Sequence, residues 1–255
     1  MNRLYEYIYD APPCVYDYPS ISDPIKLILK LIRHRDYEQL LCHLPMDSLC
    51  LMFQYSNEMG IDMVGILEYL HQRGYSLDDS CMLMAVQNSQ YQSIRYIVEH
   101  GDDQIQEWIA RCRSSWCQGL KVQVIHGNID CVRYLREVLH FEWDHTVLLE
   151  AASLGRLDCL QYLDQAGCKP DTHVNLLLHV VEGGDYLECL HYLCERYGCS
   201  SSRVAMMAAK HHRWACLEYL IVSGYPFSIK DCIRADPGRR SVKKFFRDLQ
   251  LLSNK

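Results

Sequence analysis

Fourteen cysteines, twelve histidines and thirty-two acidic residues in 255 positions are enough raw material for a metal centre or a thiol catalyst. The densest groupings are Cys189, His191, Cys194 and Cys199, followed by His211, His212 and Cys216. Zinc needs three or four ligands converging on one point, commonly from paired Cys-x-x-Cys or His pairs at short spacing. Neither grouping has that spacing, and on a helix residues 189 and 191 point in different directions. No metal site is therefore expected. Nucleophile and base pairs arise here from composition alone, and none sits in a nucleophile elbow, a phosphate loop or a metalloprotease helix. The expectation is a chain without catalytic residues or cofactors, not an enzyme.

The cysteines are periodic, and that periodicity leads to the elements that hold them. Cys131, Cys159, Cys189 and Cys216 each stand three residues before a tyrosine, and Cys168 and Cys199 each follow a glycine. Free cysteine behaves as a small buried hydrophobe, so these six are packing positions. Cys112 and Cys117 fall outside the pattern and are the better candidates for exposed thiols, although packing accounts for them more simply. The tyrosines themselves, at 69, 96, 134, 162, 192 and 219, each close an apolar phrase, with steps of 27, 38, 28, 30 and 27 residues. Repetition on that scale predicts a stack of small supersecondary units. The six tyrosines are expected in the core, with their hydroxyls reaching a polar neighbour or water.

In the fourth unit Val147, Leu148, Ala151 and Ala152 fall at helical spacing, Gly155 interrupts them, and Leu157, Leu160 and Leu163 begin a second stripe that stops near Gly167. Each unit is thus a helix, a tight turn, a second helix and a loop. Gly74, Gly101, Gly167 and Gly224 stand five residues after the tyrosine and Gly198 six, as left-handed helix stops; the third unit has none. Gly183 and Gly184 are expected to make the turn between two paired helices. Asp78 with Ser80, Asp144 with Thr146, Asp171 with Thr172, and Ser200 to Ser202 offer side-chain caps for the next helix. Ala85, Ala151, Ala152, Ala208 and Ala209 allow close helix approach.

These residues, above all Ala151 to Asp171 with the same frame at Val180 to Cys199 and Met206 to Tyr225, resemble the ankyrin-repeat family in its divergent cysteine-rich form, found in giant DNA viruses and some protists. The resemblance implies an all-α, ankyrin-like solenoid of stacked antiparallel helix pairs whose concave side and loops bind another protein. The steps are shorter than the family's roughly 33 residues, and the Thr-Pro-Leu-His opening is missing, so short loops are expected in place of β-hairpin fingers.

The expected organisation is an irregular arm over residues 1–23 and one repeat domain over 24–255. Residues 24–45 form an N-terminal cap, 46–227 the six repeats and 228–255 a C-terminal cap, as a stack of repeats needs polar outer faces at both ends. In that last segment Val242, Phe245, Phe246 and Leu249 make one stripe opposite Arg240, Lys243, Lys244 and Arg247. About ten extra residues, between Gly101 and Cys117, precede the third unit.

A net charge of -6 argues against a general binder of nucleic acid or anionic membrane. No apolar run of membrane-spanning length occurs, and Met1 to Tyr9 lacks the features of a secretion signal. Reduced cysteines and a cytoplasmic location are expected, in host cytoplasm or virion if the chain is viral. The expected function is binding of a protein partner, with a structural subunit of a large assembly as the alternative. Aromatic residues at or near inter-unit loops are the candidate partner-binding anchors: Tyr75, Trp108, Trp116, Trp143 and Phe227.

Overall fold

The computed structural model describes residues 53, 63–114, 117–236 and 240–253, the last four as backbone only. The expected arm and N-terminal cap lie outside them, as do Trp116 and the turn expected from the sequence Asp236-Pro237-Gly238 at its last two residues. Among the described residues every regular element is helical and no strand occurs. In chain order the first helices are α1 (Val64–Gln72), α2 (Asp79–Gln87), α3 (Tyr91–His100), α4 (Asp103–Cys112), α5 (Cys117–His126) and α6 (Ile129–Arg133), which continues as a π turn over Tyr134–Val138. They are followed by α7 (His145–Ser153), α8 (Leu157–Gln165), α9 (His173–Gly183) and α10 (Leu187–Tyr197). The last four are α11 (Ser202–Lys210), α12 (Trp214–Val222), α13 (Ile229–Ala235) and α14 (Arg240–Ser253).

Side-chain caps start the first helix of most pairs. Asp78 accepts from the Cys81 amide at 3.0 Å, Asp144 from Thr146 at 2.8 Å, Thr172 from Asn175 at 3.2 Å and Ser201 from Arg203 at 3.3 Å. Each satisfies an amide that the helix itself leaves unpaired. Asp171, expected to share the cap at Thr172, instead pairs with His145 at 3.1 Å.

The glycine stops hold at four positions, with positive φ at Gly74, Gly167, Gly198 and Gly224. At Gly167 the amide donates to the Asp164 carbonyl and that of Cys168 to Leu163, the paired bonds that end a helix on a left-handed residue. Gly101 does not follow: its φ is -67°, and α4 begins two residues later. A Cβ there would stand 2.5 Å from the Ile97 carbonyl oxygen, so close packing requires this glycine. In the third unit His140, six residues after the tyrosine, takes the left-handed conformation at φ 60°. Gly184 lies between α9 and α10 as expected, but Gly183 serves differently. Gly183 lies at the end of α9, where a Cβ would stand 1.8 Å from the Ser153 carbonyl oxygen, and Gly184 is extended.

The helices alternate between two rows. Helices α2, α5, α7, α9, α11 and α13 pack in succession as one row, and α8, α10 and α12 pack successively in the other, with α6 joining α8. Ala85, Ala151, Ala152, Ala208 and Ala209 are fully or almost fully buried, which allows the rows to close together. The insertion before the third unit is α4, packed on α2 and α3 and capped by Asp102. At the C-terminal end Val242 and Phe246 are buried while Arg240, Lys243, Lys244 and Arg247 face solvent.

Candidate partner-binding surface

The repeat tyrosines sit between adjacent units, half-buried and not in the core as expected. Three of their hydroxyls reach back to the preceding second helix. Tyr96 pairs with His71 at 3.1 Å, Tyr162 donates to Glu137 at 2.9 Å and Tyr192 to Asp164 at 2.6 Å. The acceptor lies two or three residues beyond the previous repeat tyrosine each time, so the ring covers the inter-unit seam while the hydroxyl ties it.

Asp164 is the most constrained of these acceptors. It also takes a bond from the Tyr197 hydroxyl and one from Arg196 Nε at 3.1 Å, and its side chain is only 4 % exposed. Burial alone would raise its carboxyl, but the two hydroxyls and the guanidinium together hold it below the usual carboxylate range. The reciprocal effect pushes the Tyr197 phenol up to about 12, through burial first and the carboxylate second.

A second set of bonds joins the starts of α6, α8 and α12 to the preceding unit. Asn128 Nδ2 donates to the Ser89 carbonyl at 3.0 Å and Arg156 Nη2 to Ile125 at 2.7 Å. Arg213 reaches three carbonyls at the end of α9: Val181 and Glu182 at 3.2 Å and Gly183 at 3.4 Å. Cationic donors at a helix C-terminus satisfy carbonyls with no partner inside the helix and oppose its negative dipole end.

An open cavity of about 380 Å³ is lined by residues of α8, α10 and α12. Its lining is Leu157, Leu187, Tyr192 and Tyr219 as apolar and aromatic surface, with Gln161, Glu188, His191 and Glu195. Leu187 is 38 % exposed, unusual for a leucine in an otherwise well-filled row. The signal was present in the sequence: 187, 188, 191, 192 and 195 share one face of a helix, and Leu157 and Leu187 both stand five residues before a repeat tyrosine.

The five aromatic candidates separate. Tyr75 is 40 % exposed on the loop after α1. Trp143 is half-buried, with the Arg136 guanidinium 4.3 Å from its ring centre and Tyr162 edge-on at 6.2 Å. Phe227 stacks on Phe246 of α14 at 6.1 Å. Trp108 is 5 % exposed, because Ile105, Trp108, Ile109 and Cys112 form the buried stripe of α4; it is a packing residue. Trp116 lies outside the described residues. The candidates therefore do not form one patch with the groove.

For the two thiols outside the repeat pattern, the simpler reading as packing residues fits their burial. Cys112 is buried and Cys117 half-buried, and burial pushes both thiols up. Cys117 Sγ lies 3.3 Å from Asp144 Oδ1. Of the histidines near the cysteine groupings, His191 stands exposed beside Glu195 at 3.4 Å, and His212 pairs with Asp236 at 3.2 Å. Among the described residues no three His, Cys, Asp or Glu side chains converge as metal ligands, and no helix is long and apolar enough to cross a membrane. No protein-family model, curated protein or solved structure matches the chain.

Proposed function

We propose that the chain is an ankyrin-like solenoid that serves as a protein-binding module, with a protein partner held along its concave and loop face. The observation that carries this reading is the recurrence of the same buried positions and inter-unit ties, seen in Cys131, Cys159, Cys189 and Cys216 and in the tyrosine links. A scaffold rebuilt at every step leaves variety to the loops and the concave helix faces, where partner recognition resides in repeat proteins. Tyr75, Trp143 and Phe227 stand on or beside those loops, and aromatic side chains dominate binding hot spots.

The test is affinity capture with the purified chain, followed by Tyr75→Ala, Trp143→Ala and Phe227→Ala in the captured complex. At least one variant should weaken capture while its unfolding midpoint stays at the parent value. Weakening seen only in variants that also unfold early would assign these rings to folding and remove the loop face from the proposal.

A further inference from the structure

We infer that the groove across α8, α10 and α12 binds a basic segment of a partner protein, one that presents an arginine or lysine beside an apolar residue. The inference rests on the chain being a binding module and adds a second surface, on the opposite row from the concave side, with its own chemistry.

Charge complementarity selects the occupant. Asp158, Glu188, Glu195 and Glu218 are all exposed on these three helices. Helices α8 and α12 contain no lysine or arginine, and the lone Arg196 of α10 is held by Asp164 at 3.1 Å. A cation approaching this face meets carboxylates with no competing basic side chain from α8 or α12. The groove also has apolar and aromatic walls, which bare acidity would not supply. Leu157 and Leu187 offer surface to an apolar side chain, and the tyrosines at 192 and 219 add aromatic surface to the same lining. A guanidinium suits that combination: it stacks on tyrosine faces and pairs with carboxylates through a planar fork. At about 380 Å³ the cavity is at the small end of the ~300–1,000 Å³ typical of ligand pockets, which fits side chains of a segment better than a folded surface.

The probe is a labelled synthetic peptide of alternating arginine and leucine, with an alternating glutamate and leucine peptide as the charge-reversed control, read by fluorescence anisotropy. The basic peptide should bind saturably and more weakly as salt rises, and the acidic one should not bind. Glu188→Gln with Glu195→Gln should weaken binding roughly tenfold, and Leu187→Ser should weaken it without changing the salt dependence. Glu107→Gln with Glu142→Gln, which removes equal charge from other exposed positions, should leave it unchanged. Equal loss from both acid pairs means general attraction and overturns the inference, as does retention of binding in the groove variants. Self-association abolished by Lys243→Glu with Lys244→Glu would make the occupant the basic α14 of a second copy, and also overturns it. A captured partner insensitive to the groove variants but lost on loop substitution would leave the module reading standing without this groove.

Discussion

Asp164 illustrates how one carboxylate can join two units. An acid with 4 % of its side chain exposed is stable as an anion only if donors replace its water, and Tyr192, Tyr197 and Arg196 do so from the next unit. Its folded pKa is depressed below the ordinary value near 3.8, so its contribution is present above that value and is lost as pH falls through the lower folded one. Asp164→Asn should cost about 1–3 kcal/mol at neutral pH. It should also flatten the acid limb of the stability profile below pH 4, measured by urea denaturation across pH; an unchanged acid limb would show that other carboxylates set it. Trp108→Ala should cost about 3–5 kcal/mol, as for other large buried side chains. Its placement was legible: 105, 108, 109 and 112 follow helical spacing. The surrounding insertion lacks the repeat register, so nothing tied that stripe to the core until α4 was seen against α2 and α3. For the repeat tyrosines, periodicity showed which face they share. It did not show that amphipathic rings lie on a seam and not beneath it.

At the scale of the element, the helix pairs, their caps and the buried alanines followed from local chemistry, since propensity, turn residues and apolar period agreed. Glycines required more than chain position, because they are used for two reasons. Gly167 needs a left-handed backbone, with no atom within 4 Å of an added Cβ. Gly183 needs space, because the Ser153 carbonyl of α7 lies against it. Gly167→Ala should therefore cost about 1–2 kcal/mol of backbone strain. Gly183→Ala must displace α7 from α9 and should cost more, in the upper part or beyond the ~1–3 kcal/mol of overpacked cores. Equal denaturation midpoints for the two variants would refute this account of the close approach. The π turn at Tyr134–Val138, with His140 beyond it, had no signal apart from the glycine missing from the third unit.

Across the whole molecule, packing governs the chemistry of the thiols. Ten of the eleven described cysteines are buried, and Cys117 is half-buried. Burial pushes Cys159, Cys168, Cys189 and Cys232 up to about 11, leaving little thiolate to react near neutral pH. Alkylation at pH 8 without denaturant should therefore modify Cys117 before these four, as followed by peptide mass spectrometry. Rapid labelling of the four would refute the packing assignment. The groove was harder to find by sequence because its residues come from three units, and a repeat alignment emphasises what the units share: an acid recurs at the positions of Glu188 and Glu195, as Asp158 and Glu137, so only His191 stood out from its counterparts.

Five of the ties between units share a direction, although Met63 N–H to Gln90 and Cys117 Sγ to Asp144 run the other way. Asn128, Arg156, Arg213, Tyr162 and Tyr192 all donate from the later unit to acceptors in the earlier one. During synthesis each finished unit is then a platform whose acceptors water can serve until the next unit emerges with its donors. Truncation is correspondingly asymmetric. Ending the chain after Gly198 leaves the Val181, Glu182 and Gly183 carbonyls and the Asp185 carboxylate at the new surface, whereas beginning it at Asp144 leaves Arg156 and Tyr162 without the acceptors they were placed to meet. Of these two fragments the one keeping the N-terminal units should retain more native helix by circular dichroism, so the chain can be assembled in the order in which it is made.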